Sequence, residues 1–239
     1  MIRCLLVSGV IFTAFLALPS LAEEAKVPDK EKGWVQLFNG KDLTGWKLHA
    51  NPSKDITEVI RKEKDGKVIA FEGKLKDGKV VPLWRVENGI LIGSGPASHL
   101  FSERGDYQNF EYRIEAQIND GGNSGQYFRT QFGPGFPKGY EAQINATHRD
   151  PIRTGSLYMP RNKELLVMDV APHKPNEWFT QEVLADGDTI RITVNGKKTV
   201  DWKDPQRTYT QGHFALQGHD PGTTVKFRKI EVRELPAAK

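Results

Sequence analysis

Cysteine is nearly absent: the 239 residues contain one, Cys4, and it precedes an apolar run near the N-terminus. A disulfide framework is excluded, so stability in an oxidising compartment has to come from a packed core. An excess of one charge is missing as well. Lys and Arg number 34 against 30 Asp and Glu, and acidic residues interleave the lysines of 54–79. That balance gives no electrostatic footprint for nucleic acid. Beyond residue 22 no apolar run is long enough for a membrane anchor. No stretch there reads as a long amphipathic helix.

The N-terminus is organised differently. Arg3 supplies a positive start, "LLVSGVIFTAFLAL" an apolar stretch, and "SLA" before Glu23 a small-residue cleavage site. Residues 1–22 are expected to be a secretory signal peptide, which places the mature chain in the periplasm or outside the cell. Cys4 lies before the apolar run, which is not the place of a lipid-attachment cysteine. Residues 23–33 are expected to be a polar leader, 34–235 one folded domain, and 236–239 a tail.

Within 34–235 the pattern is short alternating runs broken by Gly, Asn and Asp. "NFEYRIEAQI" puts Phe110, Tyr112, Ile114, Ala116 and Ile118 on one face and Glu111, Arg113, Glu115 and Gln117 on the other. Asn88-Gly89 and Asn195-Gly196 each separate two such runs, a strong hairpin signal because a type I′ turn needs two positive φ angles. In "TVKFRKIEVREL" the apolar phase slips between Phe227 and Ile230, which predicts a bulge near Arg228-Lys229. A dozen or more such strands predict an all-β fold, two packed antiparallel sheets in a jelly-roll β-sandwich. The charged stretch of about 54–81, with two Asp-Gly turns, reads as a β-hairpin insertion within it.

Three strands offer polar groups. In "GYEAQIN", Tyr140, Ala142 and Ile144 claim the core, which turns Glu141 and Gln143 to the opposite face, roughly 7 Å apart. In "GHFALQGHD", Phe214 and Leu216 face inward and Gln217 and His219 outward. In "GGNSGQYFR" the phase is ambiguous; with Phe128 in the core, Arg129 joins the polar face. A groove of Glu, Gln, Arg and Asn with an aromatic platform from Tyr127, Tyr158 or Trp178 suits a sugar. Taken singly, such residues are more often just a solvated surface. His148 and His173, in polar loops beside prolines, read as surface groups, and the sequon at Asn145 reads as chance.

Ordinary glycoside hydrolysis needs two carboxylates flanking the scissile bond. The E-x-D-x-x-E strand of jelly-roll glucanases is absent, and Gln143 stands where a partner for Glu141 would be. No G-x-S-x-G, H-E-x-x-H or phosphate-loop pattern occurs either.

Six motifs occur in a fixed order: "LFNGKDLTGW" (37–46), W-x-V-E-N-G-x-L (84–91), "GGNSGQYFR" (121–129), "GYEAQI" (139–144), "TGSLY" (154–158) and "LQGH" (216–219). Together they resemble the 3-keto-disaccharide hydrolase family, also described as a 3-keto-glucoside 1,2-lyase and 3-keto-2-hydroxyglucal hydratase domain. The resemblance spans about residues 34–235 and implies a concanavalin-like jelly roll.

It further implies a different route to glycoside cleavage. A partner sugar 3-dehydrogenase oxidises the 3-hydroxyl, the ketone acidifies the C2 hydrogen, and a base removes it so that the C1 substituent leaves. On this resemblance His219 is the first candidate for the base, because imidazole exchanges protons near neutral pH. Glu141 is the alternative base, or with His219 a ligand for a divalent cation. Gln143 and Gln217 would orient hydroxyls, Arg129 would hold the enolate oxygen, and Asn123 with its glycine turn would admit the sugar. No organic cofactor is implied. A non-catalytic carbohydrate-binding module on the same fold is the competing expectation.

Overall fold

The computed structural model describes residues 32–159 and 166–236; the signal-peptide reading and Cys4 lie outside them. The first strands are β1 (Val35–Gln36), β2 (Trp46–Leu48), β3 (Ile56–Lys64), β4 (Lys67–Leu75), β5 (Val80–Glu87), β6 (Ile90–Ser94), β7 (Ser98–Ser102) and β8 (Phe110–Ile118). Then follow β9 (Ser124–Gln131), β10 (Lys138–Ile144), β11 (Leu157–Tyr158), β12 (Phe179–Asp186), β13 (Thr189–Val194), β14 (Lys197–Lys203), β15 (His213–Gly218) and β16 (Thr224–Glu234). No helix occurs among the described residues.

The strands form two antiparallel sheets. The larger has ten strands in the order β14-β13-β12-β8-β16-β6-β5-β4-β3, with β1 added beside β16. The smaller has six, ordered β11-β10-β9-β15-β7-β2. The expected jelly-roll sandwich is therefore the fold. Asn88-Gly89 and Asn195-Gly196 close the β5–β6 and β13–β14 hairpins with positive φ at both residues, and the β16 bulge falls between Phe227 and Lys229. Residues 56–75 form a third such hairpin, closed at Asp65-Gly66, which extends one end of the large sheet.

The core lies between the sheets. Phe110, Tyr112, Ile114, Ala116 and Ile118 are fully buried, while Glu111, Arg113, Glu115 and Gln117 are half-buried on the outer face. From the small sheet Phe214 meets Tyr112 in a stack at 4.1 Å and Phe110 edge-on at 4.8 Å. Each such aromatic pair adds on the order of 1 kcal/mol to the area it buries.

Two sequence expectations fail here, each for a non-local reason. Phe128 does face the core, yet Arg129 does not join the polar face. Strand β9 carries one residue more than either neighbour between Tyr127 and Gln131, and Arg129 sits there with φ of 50°. The glycine just before the adjoining strand β15 makes room: a Cβ at Gly212 would stand 2.4 Å from the Arg129 carbonyl carbon. The bulge turns the side chain inward. There its guanidinium donates to the carbonyl oxygens of Gln108, Gly187 and Tyr209. Trp178 also lies away from the small sheet's outer face. It precedes Phe179, whose side chain enters the core from the large sheet, and the Arg228 guanidinium covers the Trp178 ring at 4.5 Å.

Arg129 is thus a clasp for three loops, not a substrate ligand. Arg129→Met keeps much of the apolar volume but leaves three part-buried carbonyls without that donor, so we expect a loss of about 1–3 kcal/mol. Urea unfolding should show it as a lower midpoint at an unchanged slope. Turnover measured where both proteins are folded should not change.

Candidate functional site

The outer face of the small sheet carries the polar groups in registered rows. Tyr158 lies opposite Glu141, Glu141 opposite Tyr127, Tyr127 opposite Ala215, and Ala215 opposite Phe101. The next row pairs Gln143 with Gly125 and Gln217 with His99. Gly125 leaves a gap that the Glu141 carboxyl fills, since a Cβ there would lie 2.1 Å from Glu141 Oε1. That close approach requires the glycine.

Glu141 is 4% exposed, and burial pushes its carboxyl up to about 8, despite the opposing hydrogen bond with the Tyr127 hydroxyl. Asp150 adds a smaller upward push. The phenols beside it respond: burial, then the Glu141 charge, raise Tyr127 and Tyr158 above the ordinary range, so both remain hydrogen-bond donors. Gln217 Nε2 donates to the Tyr127 hydroxyl at 3.2 Å, which holds the ring in place.

Loops complete the walls. Asn145 is fully buried; its Nδ2 donates to the Asp150 and Ile152 carbonyls and its Oδ1 accepts from the His148 N–H. This clasp folds residues 146–153 against the sheet and leaves the sequon asparagine inaccessible. It also brings His148 and Asp150 to a site where neither was expected. On the opposite rim His219 Nδ1 lies 2.7 Å from Asp220 Oδ2, and His148 Nε2 lies 3.6 Å from the same oxygen. Against the upward push of burial, His219 and the Gly222 N–H hold the Asp220 carboxyl below the usual carboxylate range. Burial, then His219, depress His148.

The cleft has two lobes. A polar one of about 180 Å³ is lined by Asn123, Glu141, Gln143, Asp150, Tyr158 and His219, among others. A second of about 250 Å³ shares Phe136, Gln217 and His219 with it and runs toward His99 and Pro52. Buried polar atoms without partners gather here: Asn123 Oδ1, Gln217 Oε1 and His99 Nε2. Unpaired buried polar atoms are costly, and a ligand that satisfies them recovers that cost.

Of the residues read from the sequence, Asn123, Tyr127, Glu141, Gln143, Tyr158, Gln217 and His219 come together; Arg129 and Trp178 do not. His99, Phe136, His148, Asp150 and Asp220 join them. The "HD" pair at 219–220 was a legible signal; His99 and Asp150 had none. The cation donors also differ from those expected. His148, His219 and Asp220 present ligand atoms all within 4.8 Å of one another, a set of two imidazoles and a carboxylate suited to a divalent transition metal. Glu141 is not among them.

The site is thus a polar cleft on the outer face of one sheet of a two-sheet sandwich. The chain belongs to the 3-keto-alpha-glucoside-1,2-lyase-like domain family, whose model matches residues 33–233. Solved structures share the fold. A putative glycosyl hydrolase from Parabacteroides distasonis matches with a TM-score of 0.61 and 23% identity, covering 88% of this chain and 98% of that one. A second from the same organism gives 0.55 and 21%, covering 84% and 99%. The carbohydrate-binding module CBM66 from Bacillus subtilis gives 0.52 and 18%, covering 81% and 98%. No curated protein matches the chain.

Glu141 yields a stability test. Its folded pKa of about 8 exceeds its ordinary 4.5, so the folded state retains a proton that the unfolded chain loses between those values. Its contribution to stability is complete below pH 4.5 and falls as pH rises through about 8. Glu141→Gln should therefore gain stability relative to wild type across that window, on the order of a few kcal/mol, with no gain at pH 4. Thermal melts at a series of pH values measure this.

Proposed function

We propose that the protein cleaves glycosides of 3-keto sugars by β-elimination, with Glu141 as the base that removes the C2 proton. The observation that carries the proposal is the Glu141 carboxyl: buried, lifted to about 8, and set among the donors of a sugar-sized polar lobe. A carboxylate of that basicity is far better matched to a carbon acid than an ordinary one.

The C2–H bond breaks, its proton passes to Glu141, and its electron pair forms the enolate between C2 and C3. The Tyr158 hydroxyl and the Gln143 amide are the donors available to that oxygen. When the enolate collapses, the C3 ketone reforms, a C1–C2 double bond appears, and the C1 substituent departs, taking a proton to become an alcohol. Water then adds across the double bond, oxygen at C1 and hydrogen at C2, which completes a net hydrolysis. His219, with Nδ1 engaged by Asp220, keeps Nε2 to activate that water. This moves the base from His219, favoured on sequence, to Glu141. A divalent ion held by His148, His219 and Asp220 would supply Lewis acidity to a substrate oxygen, and with the ion bound His219 would be a ligand and not the base for water. Export from the cytoplasm, and a sugar 3-dehydrogenase that supplies the ketone, belong to the same proposal.

Asp150 favours a second reading. It is a carboxylate lining the same lobe as Glu141, so the pair needed for ordinary hydrolysis is not missing as the sequence suggested. Its Oδ1 already accepts the Ile152 N–H, which ties it to the loop and favours a structural part.

Release of 4-nitrophenol from a 3-keto-glucoside, corrected for the uncatalysed reaction, separates the two. The eliminase reading predicts kcat/KM rising with pH to a plateau above about 8, as Glu141 ionises. Glu141→Gln should lose roughly 10²- to 10⁴-fold, and the unoxidised glucoside should not react. Turnover of the unoxidised glucoside at a comparable rate would contradict it.

A further inference from the structure

The second lobe of the cleft differs in chemistry from the first. One wall is Pro52 and its neighbours, in the loop that leads into the β3–β4 hairpin; another is Gly135 and Phe136, in the loop between β9 and β10. The Gly135 N–H donates to the Pro52 carbonyl at 3.2 Å and joins the two loops. Ala97 and the backbone of Gly218 add further carbon surface, with Lys54 and Asp55 alongside. Phe136 is 61% exposed, an unusual state for a phenylalanine in a cleft, and its ring centroid lies 5.9 Å from that of His99 and 6.5 Å from that of His219. His99 is 4% exposed, packs edge-on against Tyr127 at 5.3 Å, and has an Nε2 without a partner. Burial, then His219, push it down to about 3, so it meets a ligand as a neutral ring.

From these observations we infer that the second lobe is the leaving-group subsite, and that it selects a planar, largely apolar aglycone stacked on Phe136, with the unpartnered Ser53 Oγ, His99 Nε2 and Gln217 Oε1 as its few polar handles. The inference rests on the eliminase reading for the placement of the sugar. With C2 at Glu141 in the polar lobe, the C1 substituent lies across the seam formed by Gln217 and His219, which both lobes share. A second sugar placed there would carry more hydroxyls than these few polar groups can pair, and would leave the rest against carbon. An aryl group would not, and it would cover Phe136 from water. The entry loop of the hairpin insertion thereby sets specificity, since it supplies a wall.

Binding of glucosides unoxidised at C3 tests the lobe without turnover. Titration calorimetry would compare 4-nitrophenyl and methyl glucosides of the same anomer. The aryl compound should bind wild type about tenfold more tightly. Phe136→Ala, at an exposed position that folding tolerates, and Ala97→Phe, which fills the lobe, should each reduce that advantage to about threefold or less. Affinity for the methyl glucoside should not change in Ala97→Phe, since Ala97 lines the second lobe and not the first. Equal affinities in wild type, or an aryl advantage that survives in both variants, would overturn the subsite and leave the eliminase reading intact. No binding of either glucoside would also overturn it. An aryl advantage lost in the variants, from a protein that releases nothing from 3-keto-glucosides, would keep the subsite and remove the eliminase reading.

Discussion

One carboxyl sets the terms for the rest of the site. Glu141 points from the small sheet into a gap that exists because Gly125, on the neighbouring strand, has no side chain. The gap buries the carboxyl, and burial raises its affinity for a proton to a level useful near neutral pH. Tyr127 and Tyr158 flank it in register, and Gln217 steadies Tyr127 from the next strand. A larger residue at 125 would have to push the carboxylate out, and with it the row that depends on its position.

The sandwich makes such a burial affordable. The inner face of β10, with Tyr140, Ala142 and Ile144, packs into a core of stacked aromatics, which fixes the strand that presents Glu141 and Gln143 outward. Asn145, at the end of that strand, then clasps the loop carrying His148 and Asp150. One strand thus presents Glu141 directly and organises a wall of the lobe. His148 of that loop in turn approaches Asp220, beside which His219 lines the same lobe as Glu141.

Much of this was legible because it is local. Alternation in 110–118 and 139–145 decides which face is buried, Asn-Gly turns specify hairpins, and the phase slip in β16 marks its bulge. Glu141, Gln143, Gln217 and His219 followed from that logic. Arg129 did not, because its bulge depends on Gly212, just ahead of the adjoining strand, and period-two reasoning assumes no extra residue. Trp178 was misplaced because the sequence does not say which sheet a strand joins. His148 and Asp150 arrived through the Asn145 clasp, while His99 arrived through strand pairing with Gln217. Pairing across 118 residues of chain has no signature within either segment.

The central claim is that Glu141 exchanges a proton with C2 of a 3-keto sugar. Proton NMR in deuterium oxide measures this directly, by following the C2 hydrogen of a methyl 3-keto-glucoside, whose poor leaving group lets the enolate return to substrate. The account predicts that wild type washes deuterium into C2 faster than buffer does, and that Glu141→Gln falls to the buffer rate while remaining folded. Exchange at the wild-type rate in Glu141→Gln, or cleavage of the substrate with the C2 hydrogen fully retained, would contradict it.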